Sequence, residues 1–199
     1  MPARTQPHAR RPGGRSARVR AAVLAATVEV LLDGGLDALS IGEVARRAGV
    51  HETSIYRRWG TRANLALDAV LDRTETELPV PDTGALPTDL GALLRHTAAF
   101  ARTPLGELLL RMAVREDMAE YEGARERFWD HRFAAGAAVL DRAEQRGELR
   151  PGIDRRLALE ALLGPVHMRL LLTREPLDDA FLDGVVDLVV SGVGAGGRP

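Results

Sequence analysis

The stretch SIGEVARRAGVHETSIYRRWGTR, residues 40–62, constrains the chain more than any other, because it specifies two short helices and the tight turn that joins them. Ser40 offers a side-chain oxygen to an orphan backbone N–H, and Glu43, three residues on, stands where it closes a capping box. Ile41, Val44, Ala45 and Ala48 recur at helical spacing, and Gly49 follows as a left-handed cap. Val50 is the hinge of the turn. His51 then opens a second helix in which Ile55 and Trp59, four apart, make a single inward stripe. Its remaining positions, Glu52, Thr53, Ser54, Tyr56, Arg57 and Arg58, are polar, amphipathic or cationic. A short helix with such an outer face, held against another by a turn of a few residues, is how a helix-turn-helix presents a recognition helix to the major groove. Spacing alone is also met by an ordinary helical hairpin with a solvated face.

The flanking sequence separates these readings. A basic entry to a preceding helix, a Gly34-Gly35 stop, the A-x-x-A-G-V turn of residues 45–50 and the pair Tyr56 and Trp59 at the end of the second helix follow one another in order. Over residues 14–71 the chain thereby resembles the DNA-binding domain of the TetR family of transcriptional regulators. It departs from the family pattern at His51, where a small capping hydroxyl is usual, and at Arg62, where lysine is usual. Both Arg62 and lysine are cationic, so the second change leaves phosphate binding intact.

Charge is distributed as that reading requires. Residues 1–62 hold 11 Arg against 5 acidic residues, whereas residues 63–199 hold 16 Arg against 23. A basic end on an acidic body is the footprint of a protein that docks one end on a polyanion, although a solvated basic tail contributes to the same excess. Cysteine is absent, which excludes disulfides, thiolate zinc sites and cysteine nucleophiles and fits a reducing compartment. No run of 18 apolar residues marks a membrane span, and the first residues lack the apolar core of a secretory signal. A cytoplasmic location without membrane contact is the resulting expectation.

The expected fold class is all-α. Hydrophobic residues make up 45% and aromatics only 4%, so the core is built from Leu, Val and Ala, a composition that favours helices. Residues 1–13 read as a disordered basic arm, with Arg10, Arg11 and Arg15 within reach of a neighbouring phosphate or minor groove. A first helix over 16–33 braces the helix-turn-helix, completing a DNA-binding domain at 14–60. Thr61 caps a connecting helix at 61–78. Prolines and a glycine make 79–87 a linker. Helices follow at 88–102, 105–118, 121–146, 154–173 and 178–193, forming a body domain at 88–193, and 194–199 reads as a flexible tail. The segments PDTG (81–84), RGELRPGID (146–154) and LLGPVHMRLLLTREPL (162–177) resemble an actinobacterial-type TetR C-terminal domain.

Other chemistries find no foothold. The histidines have no paired metal-ligand spacing, no glycine pair forms a phosphate loop, and Ser40 and Ser54 have no catalytic partners in view. No metal, cofactor or catalytic residue is expected. The acids and arginines of residues 115–132 sit at helical spacing and read as a solvated face. Leu159, Leu163, Val166 and Leu170 form one apolar stripe, and Val185, Leu188 and Val189 form another. Periodicity is satisfied equally by an internal core and by a seam between subunits. The family resemblance implies the seam. Phe100, Leu109, Met112, Trp129, Phe133 and Met168, with the polar His96 and His167, suit either a core or a mostly apolar ligand cavity.

Taken together, the resemblance implies a homodimeric regulator, a repressor released from a palindromic DNA operator by a largely apolar small molecule. Thr53, Ser54, Arg57 and Glu52 are the expected base-edge contacts. Ser40, Tyr56, Arg58 and Arg62, with Arg15 just past the arm, are the expected phosphate contacts. The competing classes are a nucleoid-type binder without sequence preference and an all-helical enzyme.

Overall fold

Helix α1 (Arg15–Gly34) buries Val23, Leu24, Ala26, Thr27, Val30 and Leu31 on one side and stops where Gly35 turns to φ 69°. In this computed structural model residues 14–114 and 119–195 are described, and they form two compact units that divide between Ala69 and Val70. The arm at 1–13, with Arg10 and Arg11, and residues 196–199 lie outside the described residues.

The first unit adds α2 (Ile41–Ala48), α3 (Glu52–Trp59) and the first half of α4 (Arg62–Glu77). Ser40 caps α2 by accepting from Glu43 N–H at 3.2 Å, and Gly49 closes it at φ 64° and ψ 38°. The reciprocal half of the capping box is replaced, because the Glu43 carboxylate is taken by Arg46 and Arg47. His51 precedes α3 without a side-chain cap. Thr61 starts α4, its hydroxyl accepting from Asn64 N–H at 3.1 Å. Val44 and Ile55 are shut off from solvent completely, and Leu31 and Leu39 nearly so. They fuse α1, α2 and α3 around one small core. Asp68 locks it at the edge: Oδ2 accepts from Trp59 Nε1 at 2.9 Å and Oδ1 from Arg20 at 3.0 Å.

The second unit contains α5 (Leu86–Phe100), α6 (Pro104–Ala113), a 3-10 turn (Ala119–Tyr121), α7 (Glu122–Gln145), α8 (Arg155–Met168), a π-helical turn (Arg169–Thr173) and α9 (Asp179–Val193). Leu90, Leu94, Val139, Leu140, Leu159, Leu162 and Val166 form its core, joined by Val185, Val186 and Val189 from α9.

Several helix boundaries differ from the sequence reading. Helix α5 begins two residues early, because Pro87 is tolerated in a first turn and the Leu86 N–H finds an acceptor in Glu148 Oε2 at 2.6 Å, 62 residues away. Helix α6 ends at Ala113, beyond which Val114 leaves helical geometry. The helix expected over 154–173 changes to π-helical pitch after Met168. Pro165 removes one backbone donor within α8, and the last turn closes through Arg174 N–H to Arg169 O at 2.8 Å. The Arg169 guanidinium lies 3.5 Å over Phe181 and pins that turn. Nor does the tail begin loosely at 194. Gly194 forms an isolated antiparallel bridge with Leu149, and Ala195 N–H donates to Glu148 O at 2.7 Å.

Candidate functional site

In the first unit, burial of Ile55 and Trp59 leaves the opposite side of α3 in solvent. Glu52, Thr53, Tyr56, Arg57 and Arg58 are exposed there, and Ser54 is half-buried. Ion pairing sorts the arginines around this helix. On α2, Glu43 binds Arg46 at 2.7 Å and Arg47 at 2.7 Å, and Asp33 takes the other end of Arg47 at 2.6 Å. The bonds from Arg46 and then Arg47 hold the Glu43 carboxyl down at about 2. Arg15, Arg57 and Arg58, in contrast, have no carboxylate partner among the described residues. Arg58 only leans over the Trp59 ring, at 5.4 Å.

Arg15, Arg57 and Arg58 converge. Arg15, Ser16, Arg20, His51, Ser54, Arg57 and Arg58 line one cleft of about 690 Å³ between the start of α1 and α3, with no acidic residue on its walls. Such a concavity attracts a polyanion, and hydroxyls among cations suit a sugar-phosphate chain. Arg62 is exposed and its Nη1 reaches Leu39 O at 3.5 Å, which sets a cation beside the capped N-terminus of α2 and Ser40. Glu52 behaves differently from the base-contact expectation. Its Oε1 lies 3.2 Å from where a Gly42 Cβ would stand, so its carboxylate rests against α2.

In the second unit, Phe100, Leu109, Trp129, Phe133 and His167 meet around a cavity of about 80 Å³. Phe128 packs edge-on to Trp129 at 5.3 Å, and Trp129 in turn meets the His167 ring at 6.2 Å and Phe133 at 6.2 Å. Leu109, Phe128 and Trp129 also wall an outer cleft of about 380 Å³. Three expected lining residues are elsewhere. Met112 lines only the outer cleft; Met168, one position past His167, is rotated into solvent and 52% exposed; and His96 is absent from both walls, its Nδ1 buried without a hydrogen-bond partner.

Arg132, Thr97, Phe128 and Gly136 line the cavity as well, although none of them stands out in the sequence as a lining residue. By charge pattern alone Arg132 belongs to a solvated face. Its spacing of three and four from Trp129 and Phe128 is the signal that places it with them.

The apolar stripes also divide. Leu159 and Val166 are buried inside the unit, and Leu159 packs on Gly136 and lines the cavity with Leu163. Leu159 is turned to α7 and Val166 belongs to the unit's own core, so neither is open to a seam in the single chain. Leu170 is half-buried against the core. Val185, Leu188 and Val189, however, border an apolar surface groove of about 400 Å³ with Leu157, Ala161, Pro165 and Gly192. Leu188 is 77% exposed and Leu157 64%.

Among the described residues no group of three His, Cys, Asp or Glu side chains is placed to hold a metal ion, and no helix is long and apolar enough to cross a membrane.

Comparison with known proteins accounts for both units. Residues 23–69 match the family model for bacterial regulatory proteins of the tetR family, and residues 80–189 match the tetracyclin repressor-like C-terminal domain. The HTH-type transcriptional regulator AqdR of Rhodococcus erythropolis is 37% identical over 179 residues, covering 89% of this chain and 86% of its own length. The DNA-binding transcriptional repressor TetR of Mycobacteroides abscessus is 36% identical, covering 85% and 90% respectively. A crystal structure of the TetR family transcription regulator SCO0332 superposes with a TM-score of 0.75 at 37% identity, covering 88% of this chain and 98% of that one. With an all-α body, a helix-turn-helix that carries unpaired cations on its outer helix, and these relatives along nearly its whole length, the chain belongs to the TetR family of transcriptional regulators.

Proposed function

We propose that the protein is a homodimeric repressor that grips a palindromic operator through α3 and releases it when a small, largely apolar molecule enters the cavity behind Trp129. The observation that carries this reading is the sorting of charge in the first unit. Arginines of α2 are neutralised by Glu43 and Asp33, and those of α3 are left open beside Thr53 and Ser54. Thr53, Ser54 and Arg57 read base edges. Ser40, Tyr56, Arg58, Arg62 and Arg15 hold phosphates, and Glu52 reads a cytosine amino group only after leaving Gly42.

One α3 reads only a few base pairs, so two are needed for an operator. The groove bordered by Leu157 and Leu188 supports pairing of the body with a second copy, because exposed leucines beside Ala161, Pro165 and Gly192 let two helix pairs approach closely. A ligand shifts the DNA-bound population only through better binding to the released state. The cavity's small volume therefore fits a DNA-competent form that a ligand must open, since drug-sized ligand sites run to roughly 300–1,000 Å³.

Selection from a random duplex library, followed by titration of the winner and a scrambled copy, tests the reading. The expected result is an inverted repeat with half-sites about one helical turn apart, bound at least ~10³-fold more tightly than the scrambled duplex. Equal affinity for all duplexes overturns it in favour of a binder without sequence preference.

A further inference from the structure

The cavity in the second unit has a small polar complement, in which one side chain is cationic. Its walls are aromatic and aliphatic apart from three side chains, Thr97, Arg132 and His167. Thr97 spends its proton on Leu93 O at 2.9 Å. His167 Nδ1 lies 2.9 Å from Leu163 O. A carbonyl only accepts, so that nitrogen carries the proton and Nε2 remains the open position.

Arg132 is the anomaly. Its five N–H donors have one described partner, the Leu78 carbonyl at the long distance of 3.4 Å, and no carboxylate lies within 4.0 Å of it among the described residues. Glu75 attracts it from farther away, but the Glu75 carboxylate is engaged by His131 at 3.1 Å. Burial pushes the Arg132 pKa down, the direction expected of a cation drawn out of water without close compensation. A half-buried guanidinium with spare donors is stabilised by whatever anion can reach it. A carboxylate matches its fork geometry, with two parallel N–H···O bonds. Phe128, Trp129 and Phe133 stand beside it to take an apolar body.

We infer that the effector of this cavity is an amphipathic carboxylate, its anionic group paired with Arg132 and its apolar body laid against the Phe128, Trp129 and Phe133 cluster. This rests on the reading of the cavity as the effector site. Thr97 Oγ1 accepts from any hydroxyl the effector carries near that group, and His167 Nε2 does the same.

Two pairs of probes of matched shape decide the matter: decanoate against decanol, and naphthylacetate against naphthylethanol. Each is titrated calorimetrically into the full chain, with thermal stability followed in parallel, and into Arg132→Met and Arg132→Lys. The expected result is that at least one carboxylate binds wild type about tenfold or more tightly than its alcohol, as a charge-assisted pair implies. Arg132→Met removes that preference while retaining the alcohol's affinity, and Arg132→Lys restores part of it. Equal affinity for carboxylate and alcohol in wild type overturns the inference and leaves the cavity as an effector site. A carboxylate preference that survives in Arg132→Met also overturns it, since the anion is then held elsewhere. If none of the four probes stabilises the wild-type chain, the effector-site reading fails and takes this inference with it. The wild-type comparison stands even if Arg132→Met does not fold.

Discussion

Arg146 and Asp89 meet across 57 residues of sequence, an Nη2 of the arginine donating to Asp89 Oδ2 at 3.1 Å, and the carboxylate they share is fully shut off from solvent. Its other oxygen accepts from Thr83 N–H at 2.5 Å and from the Thr83 hydroxyl at 2.8 Å. Arg146 also binds Glu148 at 2.9 Å, and Glu148 caps α5. The segments 81–84 and 146–154, which resemble family motifs separately, are thus two halves of one ionic clasp between the linker and the end of α7. Such a clasp stabilises only while every buried lone pair has its partner.

Replacing Asp89 by Asn should therefore cost stability at neutral pH, on the order of 1.5–3 kcal/mol for losing hydrogen bonds to a charged group. Burial alone would raise the Asp89 pKa, but the bonds from Thr83 and Arg146 outweigh it and hold the group below its ordinary 3.8. Arg146 does the same for Glu148, below 4.5. With folded values depressed, the contribution is complete above the unfolded carboxylate range and fades as pH falls from about 4.5 through the folded values. Urea titrations at pH 7 and pH 3 should show the gap between wild type and Asp89→Asn closing at the lower pH. A gap independent of pH would mean that the loss is one of packing.

How much of this is legible in the sequence depends on the range of the forces involved. The turn of 40–62 is readable because its determinants are local: the Ser40 cap, the left-handed Gly49, and the Ile55 and Trp59 stripe each act within a few residues. The start of α5 is not, since its acceptor on Glu148 is remote in sequence. Apolar periodicity tells which side of α8 is turned from water but not what covers it. Leu159 and Val166 therefore fit a seam by pattern, whereas α7 and the core cover them in the fold. Among the cavity candidates, size and polarity draw in Met168 and His96, which the helical rotation turns away, while Arg132 is masked by the charged residues around it.

The two leucines of the apolar stripes should respond oppositely to the same change. Leu188→Arg places a charge on a side chain that is 77% exposed in the single chain, so the fold should survive and sedimentation should show monomers with much weaker operator binding. Leu159→Arg buries a charge in the core at 1% exposure, and the variant should fail to fold cooperatively. A Leu188→Arg protein that stays dimeric would remove the groove between α8 and α9 as the contact surface.

Arginines on α2 and α3 should likewise separate in a salt titration of DNA binding. Removing one phosphate-binding cation lowers the slope of affinity against salt by about one. Arg58→Ala should show that drop. Arg46→Ala should not, because Arg46 is already satisfied by two bonds to Glu43, at 2.9 Å and 2.7 Å. Arg57→Ala should instead relax preference at one operator position, by about 1–3 kcal/mol against the wrong base. Equal slopes for wild type, Arg46→Ala and Arg58→Ala would show that pairing does not decide which arginines meet DNA.

Gly106 is a position in the body where the backbone leaves no room for a side chain. A Cβ there would lie 2.1 Å from Phe100 O and 2.7 Å from Ala101 Cα, distances that only a shift of backbone can relieve. The first turn of α6 is pressed onto the end of α5, and Thr103 holds it there, its hydroxyl accepting from Gly106 N–H at 3.1 Å and donating to Phe100 O at 2.8 Å. Phe100, Ala101 and Gly106 all line the cavity, so separating the two helices also reshapes the ligand site. Gly106→Ala should lower stability by about 1–3 kcal/mol through overpacking and change probe affinity at the cavity. Gly123→Ala is the control. Its Cβ would meet only Arg127 Nη1 at 3.3 Å, the far end of a flexible side chain, and alanine's helix propensity should make it neutral or stabilising by up to ~1 kcal/mol. If Gly106→Ala melts with wild type and binds the probes unchanged, α5 and α6 are free to separate there at no cost, and the close approach does not set the shape of the cavity.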